Sequence, residues 1–382
     1  MHLSLSEEQQ LLKDSVARFV ADNYSIERLR ALRDTQTPLD KARWSELAEL
    51  GWLGLTFAEA DGGYGCDAID MMVLCEQFGR GLVTEPYLAN IVVCGGFLRR
   101  SSDALRAAYL PDLMAGISQW AFAFAEATSR YQLSDVSLPA RAHGDGFVLE
   151  GNKISVVNGA AAEQFIVSAR TGGDRRDTQG VSLFIVPADA PGVTRQVYPL
   201  VDGSMGADVH FEGVELSSAM CLGTQGAAMP LIEAVIAEAL VAIGAECLGA
   251  MDALLEQTVS YTQTREQFGT PISRFQSLQH RMADMYLACE SLRSLLYYAA
   301  ILQRDAATGA RDISAKEAQK AASALKVKAG DAGRFVSQQA VQLHGGIGMT
   351  DELGISHYFK RLLLLNALFG DSEHHLQAYI AA

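Results

Sequence analysis

Cysteine is sparse and unpatterned. Cys66, Cys75, Cys94, Cys221, Cys247 and Cys289 are scattered without a C-x-x-C, and most sit in apolar surroundings that predict reduced, buried thiols. The expectation is a cytoplasmic protein. No window approaches the roughly 20 apolar residues of a membrane span, and no basic segment with an apolar core opens the chain, so export and insertion are not expected. Positive charge is also in deficit. Lys and Arg number 31 against 45 Asp and Glu, a net charge of -14, which argues against non-specific binding to nucleic acid or an anionic membrane. One local basic pocket for a phosphorylated cofactor stays compatible with that balance.

What is present suits a globular chain with sizeable cores: 382 residues, 49% hydrophobic and 20% charged. From Ser6 to about Gly116 the period is helical. SEEQQLLKDSVARFVADN offers Ser6 as a cap, acids in the first turn, and Leu11, Leu12, Val16, Phe19 and Val20 at helical spacing. DGGYG (61–65) interrupts as a loop; without a preceding strand it lacks the context of a dinucleotide fingerprint. Around Trp120 the period becomes two: FVLEGNKISVVNG, QFIVSART, GVSLFIVPA and DVHFEGVEL are separated by turn signals such as HGDG and GGDRRDTQG. After Gly226 helical runs return near 229–264, 275–306, 314–343 and 350–369. The chain is therefore expected to be α+β: an N-terminal helical domain (1–119), a middle antiparallel β domain (120–224) and a C-terminal four-helix bundle (225–382).

The richest motif is YTQTREQFGTPISRFQ (261–276), a helix that breaks at Gly269–Pro271 and restarts. Arg265 can pair with a diphosphate through its planar fork, and Phe268 can stack on a purine. In VQLHGGIGM (341–349), the glycines Gly345, Gly346 and Gly348 let backbone approach a ligand. The plainer alternative is a capped helix end and a packing glycine pair.

These two motifs, in this order, resemble those of the acyl-CoA dehydrogenase family, and the likeness spans nearly the whole chain. GWLGLTFAEADGGYG (51–65) is similar to the family's N-terminal helix-loop segment, and YLPDLMAGISQWAFAFAEA (109–127) to the entry of its β domain. RAHGDGFVLEGNK (141–153) matches a family hairpin. Within the family, SRYQLSDV, GNKISVV, SLQH, HYFKR and LFGDSEHHL resemble the small subunit of pimeloyl-CoA dehydrogenases.

The resemblance implies FAD chemistry on a CoA thioester: a base removes the α-proton, a β-hydride passes to the flavin, and electrons go on to an electron-transfer flavoprotein. It implies a β-barrel middle domain, and a C-terminal bundle that assembles dimers and tetramers. It implies that Arg265, Phe268, Gln276, Gln342, Gly345 and Gly346 hold the ADP half of FAD. Glu126, Ser134, Ser155 and Asp371 then stand where the family meets the flavin ring.

Departures fall on the ring half. Where the family reads TEPxxGSD, this chain has AEATSRYQLSD (125–135), and Ser155 replaces the aromatic wall after GNK. The family's usual base, the Glu of a YEGT segment, aligns with Phe369, and its Thr with Asp371. The alternative base position on an earlier helix aligns with Ala239. Glu238 beside it is turned by about 100°. Glu246 lies seven residues on, nearly the same face but roughly 10 Å along the axis. In the apolar run AIGAECLGAM, Glu246 is the candidate base, or else a carboxylate satisfied by an Arg or a backbone N–H.

Other polar groups point less firmly. Adjacent His374 and His375 diverge by about 100° on a helix, which predicts no metal site. His344 is expected to hydrogen-bond and not to catalyse; His280 and Arg281 to serve packing; Arg130 and Arg141 to be surface charges or to meet a CoA phosphate or an acidic acyl tail. No Ser-His-Asp pattern surrounds Ser155. Intact ADP-half residues beside an altered ring half predict a subunit that completes the FAD site of a paralogous dehydrogenase partner in an α2β2 assembly. A catalytic homomer, or a flavin oxidase or hydroxylase relative, are the alternatives. The acyl group is expected to be long or dicarboxylic.

Overall fold

Helix starts follow local chemistry. Ser6 caps α1 (Glu7–Asn23), its Oγ accepting from Gln9 N at 3.2 Å while Gln9 Oε1 accepts from Ser6 N at 3.1 Å. Glu7 and Glu8 then face the positive end of the helix dipole. The computed structural model describes residues 4–381. Further N-terminal helices are α2 (Ile26–Asp34), α3 (Lys41–Glu49), α4 (Ala68–Gly81), α5 (Gly95–Leu98) and α6 (Asp103–Met114). Eight strands follow: β1 (Trp120–Ala123), β2 (Ala140–His143), β3 (Gly146–Val157), β4 (Gln164–Arg170), β5 (Val181–Pro187), β6 (Val193–Pro199), β7 (Met205–Ser217) and β8 (Cys221–Leu222). The remainder is α7 (Met229–Thr264), a small hairpin of β9 (Glu266–Gln267) and β10 (Thr270–Pro271), α8 (Gln276–Thr308), α9 (Ala315–His344), α10 (Gly354–Ala367) and α11 (Ser372–Ala381). No described helix is long and apolar enough to cross a membrane.

Packing groups these elements into two units. The helical unit comprises 1–31, 67–84 and 240–382. Within it α4 and α7 touch backbone to backbone: a Cβ on Gly79 would lie 2.0 Å from Glu246 O, and one on Gly249 1.8 Å from Glu76 O. Only glycine admits that approach. The long C-terminal helices are those the periodicity predicts, with α11 added after a break at 368–371.

The second unit comprises 32–66 and 85–239 and carries β1 to β8. The expected antiparallel barrel is not formed. Two separate four-stranded sheets are present, ordered β1-β4-β5-β8 and β2-β3-β7-β6, and β1 pairs with β4 in parallel. Each sheet ends on edge strands that have no further partner strand, and β8 is only two residues long, so neither closes. The first sheet is buried along β1 and across the interiors of β4 and β5, whereas β7 alternates along much of its length. Phe147 and Phe184 meet between the sheets with ring centroids 5.0 Å apart. Fully buried Phe165, Phe184 and Phe211 each contribute about 1.5–3 kcal/mol of burial to this core. The exposed β6 lacks a hydrophobic face, which is why its pattern escapes a period-two reading.

Candidate functional site

The corner after α7 is a tight hairpin. Arg265 N donates to Tyr261 O at 2.8 Å as the helix ends, and Ile272 N donates to Arg265 O at 2.8 Å as the chain returns. Between them Gln267 faces Thr270, and the central pair Phe268 and Gly269 has φ 57° and 74°. Two left-handed residues are what a type I′ two-residue loop requires, and its twist matches that of the flanking strands. A bulky residue in that region is uncommon, and this one is 92% exposed, with its ring edge-on to Phe275 at a centroid separation of 6.1 Å. The Arg265 guanidinium has no hydrogen-bond or ion-pair partner among the described residues. Gln276 is exposed at the start of α8.

The glycine motif lies against the same end of the helical unit. Tyr261 stacks on His344 at 4.4 Å, and its hydroxyl donates to His344 O at 3.3 Å. His344 is buried, which lowers its pKa, and its Nδ1 pairs with Ala340 O at 2.8 Å as a neutral donor. Gln342, Gly345 and Gly346 are exposed, and a Cβ on either glycine would meet nothing within 4 Å. Arg265, Phe268, Gln342, Gly345 and Gly346 are thus carried by adjoining helix ends and stand open to solvent.

Of the ring-half candidates, Glu126, Ser134 and Ser155 lie in the strand unit and Asp371 in the helical unit. Ser155 is exposed at φ 53°, at the irregularity between Lys153 and Val156 in the β3–β7 ladder. Its N–H donates to Asp208 Oδ1 at 2.9 Å and Tyr198 Oη at 3.2 Å, and Tyr198 Oη donates to the same carboxylate at 2.6 Å. No aromatic side chain occupies position 155 itself. Glu126 is buried, and its carboxylate is fully engaged: Lys153 Nζ lies 2.8 Å away, and Ser137 and Leu138 N donate at 2.9 and 3.0 Å. Burial opposes the Glu126 charge, but Lys153 and these donors hold its pKa below the usual value. Burial pulls Lys153 down to about 8, opposed by Glu126. The two shifts pull in different senses, and the close contact makes a charged pair the state the geometry supports. Ser134 presents its carbonyl to Arg170 Nη2 at 2.6 Å, while Arg170 Nε also donates to Val136 O at 3.2 Å. Arg130 is exposed, and exposed Arg141 lies 3.6 Å from Glu150.

No carboxylate stands at either inherited base position. Ala239 is buried, and its neighbour Glu238 is engaged by Arg99 and Arg100. Glu246 is buried and its Oε1 accepts from Arg361 Nε at 2.5 Å, so it is a partnered carboxylate and not an isolated one. Phe369 has φ 56° in a segment held from several sides. Lys326 Nζ donates to Leu365, Asn366, Leu368 and Gly370 carbonyls at 2.7–2.9 Å, and His375 Nε2 pairs with Phe369 O at 3.0 Å. Burial pushes Lys326 down to about 7 and His375 down to about 3. Asp371 Oδ1 accepts from His374 N at 2.9 Å, capping α11. Sequence reading missed Lys153, Arg170, Tyr198 and Lys326; their spacing to their partners is too long-range to show as a motif.

Comparison with known proteins matches three family models in order along the chain: Acyl-CoA dehydrogenase, N-terminal domain (6–117), middle domain (121–214) and C-terminal domain (229–382). The chain is 26% identical over 378 residues to the short-chain specific acyl-CoA dehydrogenase, mitochondrial, of Rattus norvegicus, covering 97% of this chain and 89% of that protein. It superposes on the butyryl-CoA dehydrogenase of Megasphaera elsdenii with a TM-score of 0.90 at 25% identity, covering 100% and 99% of the two chains. A chain in a structure described as an electron transferring flavoprotein of Acidaminococcus fermentans gives 0.90 at 26%, covering 100% and 98%. With all three domain models in sequence over one fold, the chain belongs to the acyl-CoA dehydrogenase family, oxidoreductases that act on acyl-CoA.

Proposed function

We propose that the protein serves FAD-dependent α,β-dehydrogenation of an acyl-CoA thioester, with electrons passed to an electron-transfer flavoprotein, as one subunit of a cytoplasmic heteromer with a paralogous dehydrogenase. In this reading its sequence segments 1–119, 120–224 and 225–382 are the three family domains. A long or dicarboxylic acyl group, as in pimeloyl-CoA dehydrogenases, is the substrate class that the motif likeness supports.

The single observation that carries the heteromeric reading is the contrast between the two halves of the cofactor site. The ADP half fits the cofactor: the Arg265 guanidinium has no partner among the described residues, Phe268 is exposed, and Gly345 and Gly346 leave open space. Arg265, Phe268, Gln276, Gln342, Gly345 and Gly346 would hold that half. The ring half fits poorly, because Ser155 offers no wall and the Glu126 carboxylate is spent on Lys153. Ser134 and Asp371 are the remaining ring-side candidates. When bound, FAD supplies the hydride acceptor. Glu246 is the carboxylate to test as base, and its Arg361 partner favours the reading in which this subunit completes a partner's site and the partner carries the base.

The visible absorbance of the chain purified alone, and co-expressed with a paralogous dehydrogenase subunit, tests this. A colourless lone chain that becomes flavin-loaded with the partner is expected. Near-stoichiometric flavin in the lone homo-oligomer, bleached by an acyl-CoA, would make it a self-sufficient enzyme.

A further inference from the structure

The ADP-side residues come from two places in the chain and must present themselves to one ligand. Arg265 and Phe268 sit at the hairpin after α7, and Gly345 and Gly346 follow the end of α9. Among the described residues no hydrogen bond joins 265–275 to 341–349. Ile272 N returns to Arg265 O, Phe275 N donates to Ile272 O, and Gln279 Nε2 reaches back from α8 to Ser273 O at 2.9 Å. The hairpin is thus tied to itself and to α8, not to the glycine turn.

An aromatic pair spans that gap. Tyr261 stacks on His344 with ring centroids 4.4 Å and planes 25° apart, and its hydroxyl donates to His344 O at 3.3 Å. Each ring adjoins one motif. Tyr261 O accepts from Arg265 N, one helical turn on, and His344 directly precedes Gly345. His344 is itself firmly seated: it is buried, its Nδ1 pairs with Ala340 O at 2.8 Å, and a Cβ on Gly348 would come within 2.9 Å of His344 Cβ. The glycine turn therefore closes over the base of this ring. Groups that meet one ligand bind it best when their spacing is fixed beforehand by the residues behind them.

We propose that Tyr261 and His344 are positioning residues for the ADP half of FAD, a stacked strut that sets Arg265 and Phe268 in register with the backbone of Gly345 and Gly346. The rings act through their neighbours and not by touching the cofactor. The inference rests on the reading of these two motifs as the ADP half of the site.

Whichever form carries flavin, the lone chain or the co-expressed assembly, is stripped of it and titrated by calorimetry with FAD and, separately, with ADP. Tyr261→Leu should weaken both about tenfold or more, and His344→Ala, which breaks the same contact from the other ring, should match it. Tyr261→Phe keeps the stack and should stay near wild type for both ligands. The double variant Tyr261→Leu with His344→Ala should be no weaker than either single one, since each removes the same contact. Arg265→Gln separates the strut from the reading beneath it. If Arg265→Gln weakens FAD and ADP while Tyr261→Leu does not, the strut is overturned and the ADP-half reading stands; if Arg265→Gln leaves both ligands unchanged, the reading fails and the strut with it. Tyr261→Phe as weak as Tyr261→Leu, or additive losses in the double variant, would also overturn the proposal.

Discussion

Arg361 Nε lies 2.5 Å from Glu246 Oε1, with both side chains about nine-tenths buried, so the one carboxylate in an apolar run of α7 is half of an ion pair. Removing the carboxylate takes a close partner from a guanidinium in a poorly solvated place. Glu246→Gln is expected to cost about 3–5 kcal/mol of stability. Glu246→Leu with Arg361→Met should recover most of that loss in urea unfolding. Loss of acyl-CoA-dependent flavin reduction in a fully folded Glu246→Gln assembly would instead reveal a base.

Arg265→Gln, made in the co-expressed assembly, should lower flavin occupancy. A charge-assisted contact is worth about 1.5–3 kcal/mol, so affinity should fall roughly ten- to hundredfold. Since Arg265 has no hydrogen-bond or ion-pair partner among the described residues, thermal stability without flavin should not change. A large fall in that stability would show that the guanidinium serves the fold.

Ser155→Trp should raise the flavin retained by the lone chain, measured as absorbance per subunit. The position is exposed, which leaves room for an indole, though its φ of 53° makes a bulky side chain strained. Unchanged flavin content would mean that the missing wall is not what limits binding.

Lys326→Met should be among the most damaging single changes in the helical unit. Four carbonyls around Leu365–Gly370 lose their shared donor, at a cost of several kcal/mol, and the loop carrying Phe369 should become protease-sensitive. Limited proteolysis with mass-spectrometric mapping would detect cleavage there.

His375 gives a pH dependence. Its folded pKa is depressed by burial to about 3 from 6.5, so the unfolded chain binds more protons across that interval. The stability it contributes is complete above about pH 6.5 and declines as pH falls toward 3. His375→Gln should flatten the wild-type slope of unfolding free energy between pH 6.5 and 4. An unaltered slope would place the titration elsewhere.

Much of the fold is legible in the sequence because local signals decide it. Ser6 with Gln9, and Ser314 with Glu317, are caps readable from four residues each, and the long helices announce themselves by period. Sheet closure is not local. Whether β1 pairs in parallel, and whether the edges of β2, β6 and β8 meet, depends on partners up to a hundred residues apart, so the barrel expected from the family likeness fails where long-range register decides. The candidate site divides in the same way. Arg265, Phe268 and the glycine motif are visible as short words, whereas the engagement of Glu126 by Lys153, of Glu246 by Arg361, and of Phe369's segment by Lys326 and His375 is settled by folding.

The paired glycine contacts of α4 and α7 also set a mechanical limit. With Gly79 against the Glu246 carbonyl and Gly249 against that of Glu76, a slide of one helix by a turn would drive a side chain into backbone at two points at once. The pair behaves as a ratchet with one seat. Amides along this seam should therefore exchange with deuterium only on global unfolding, and the backbone at Glu246 should be among the stiffest parts of the helical unit.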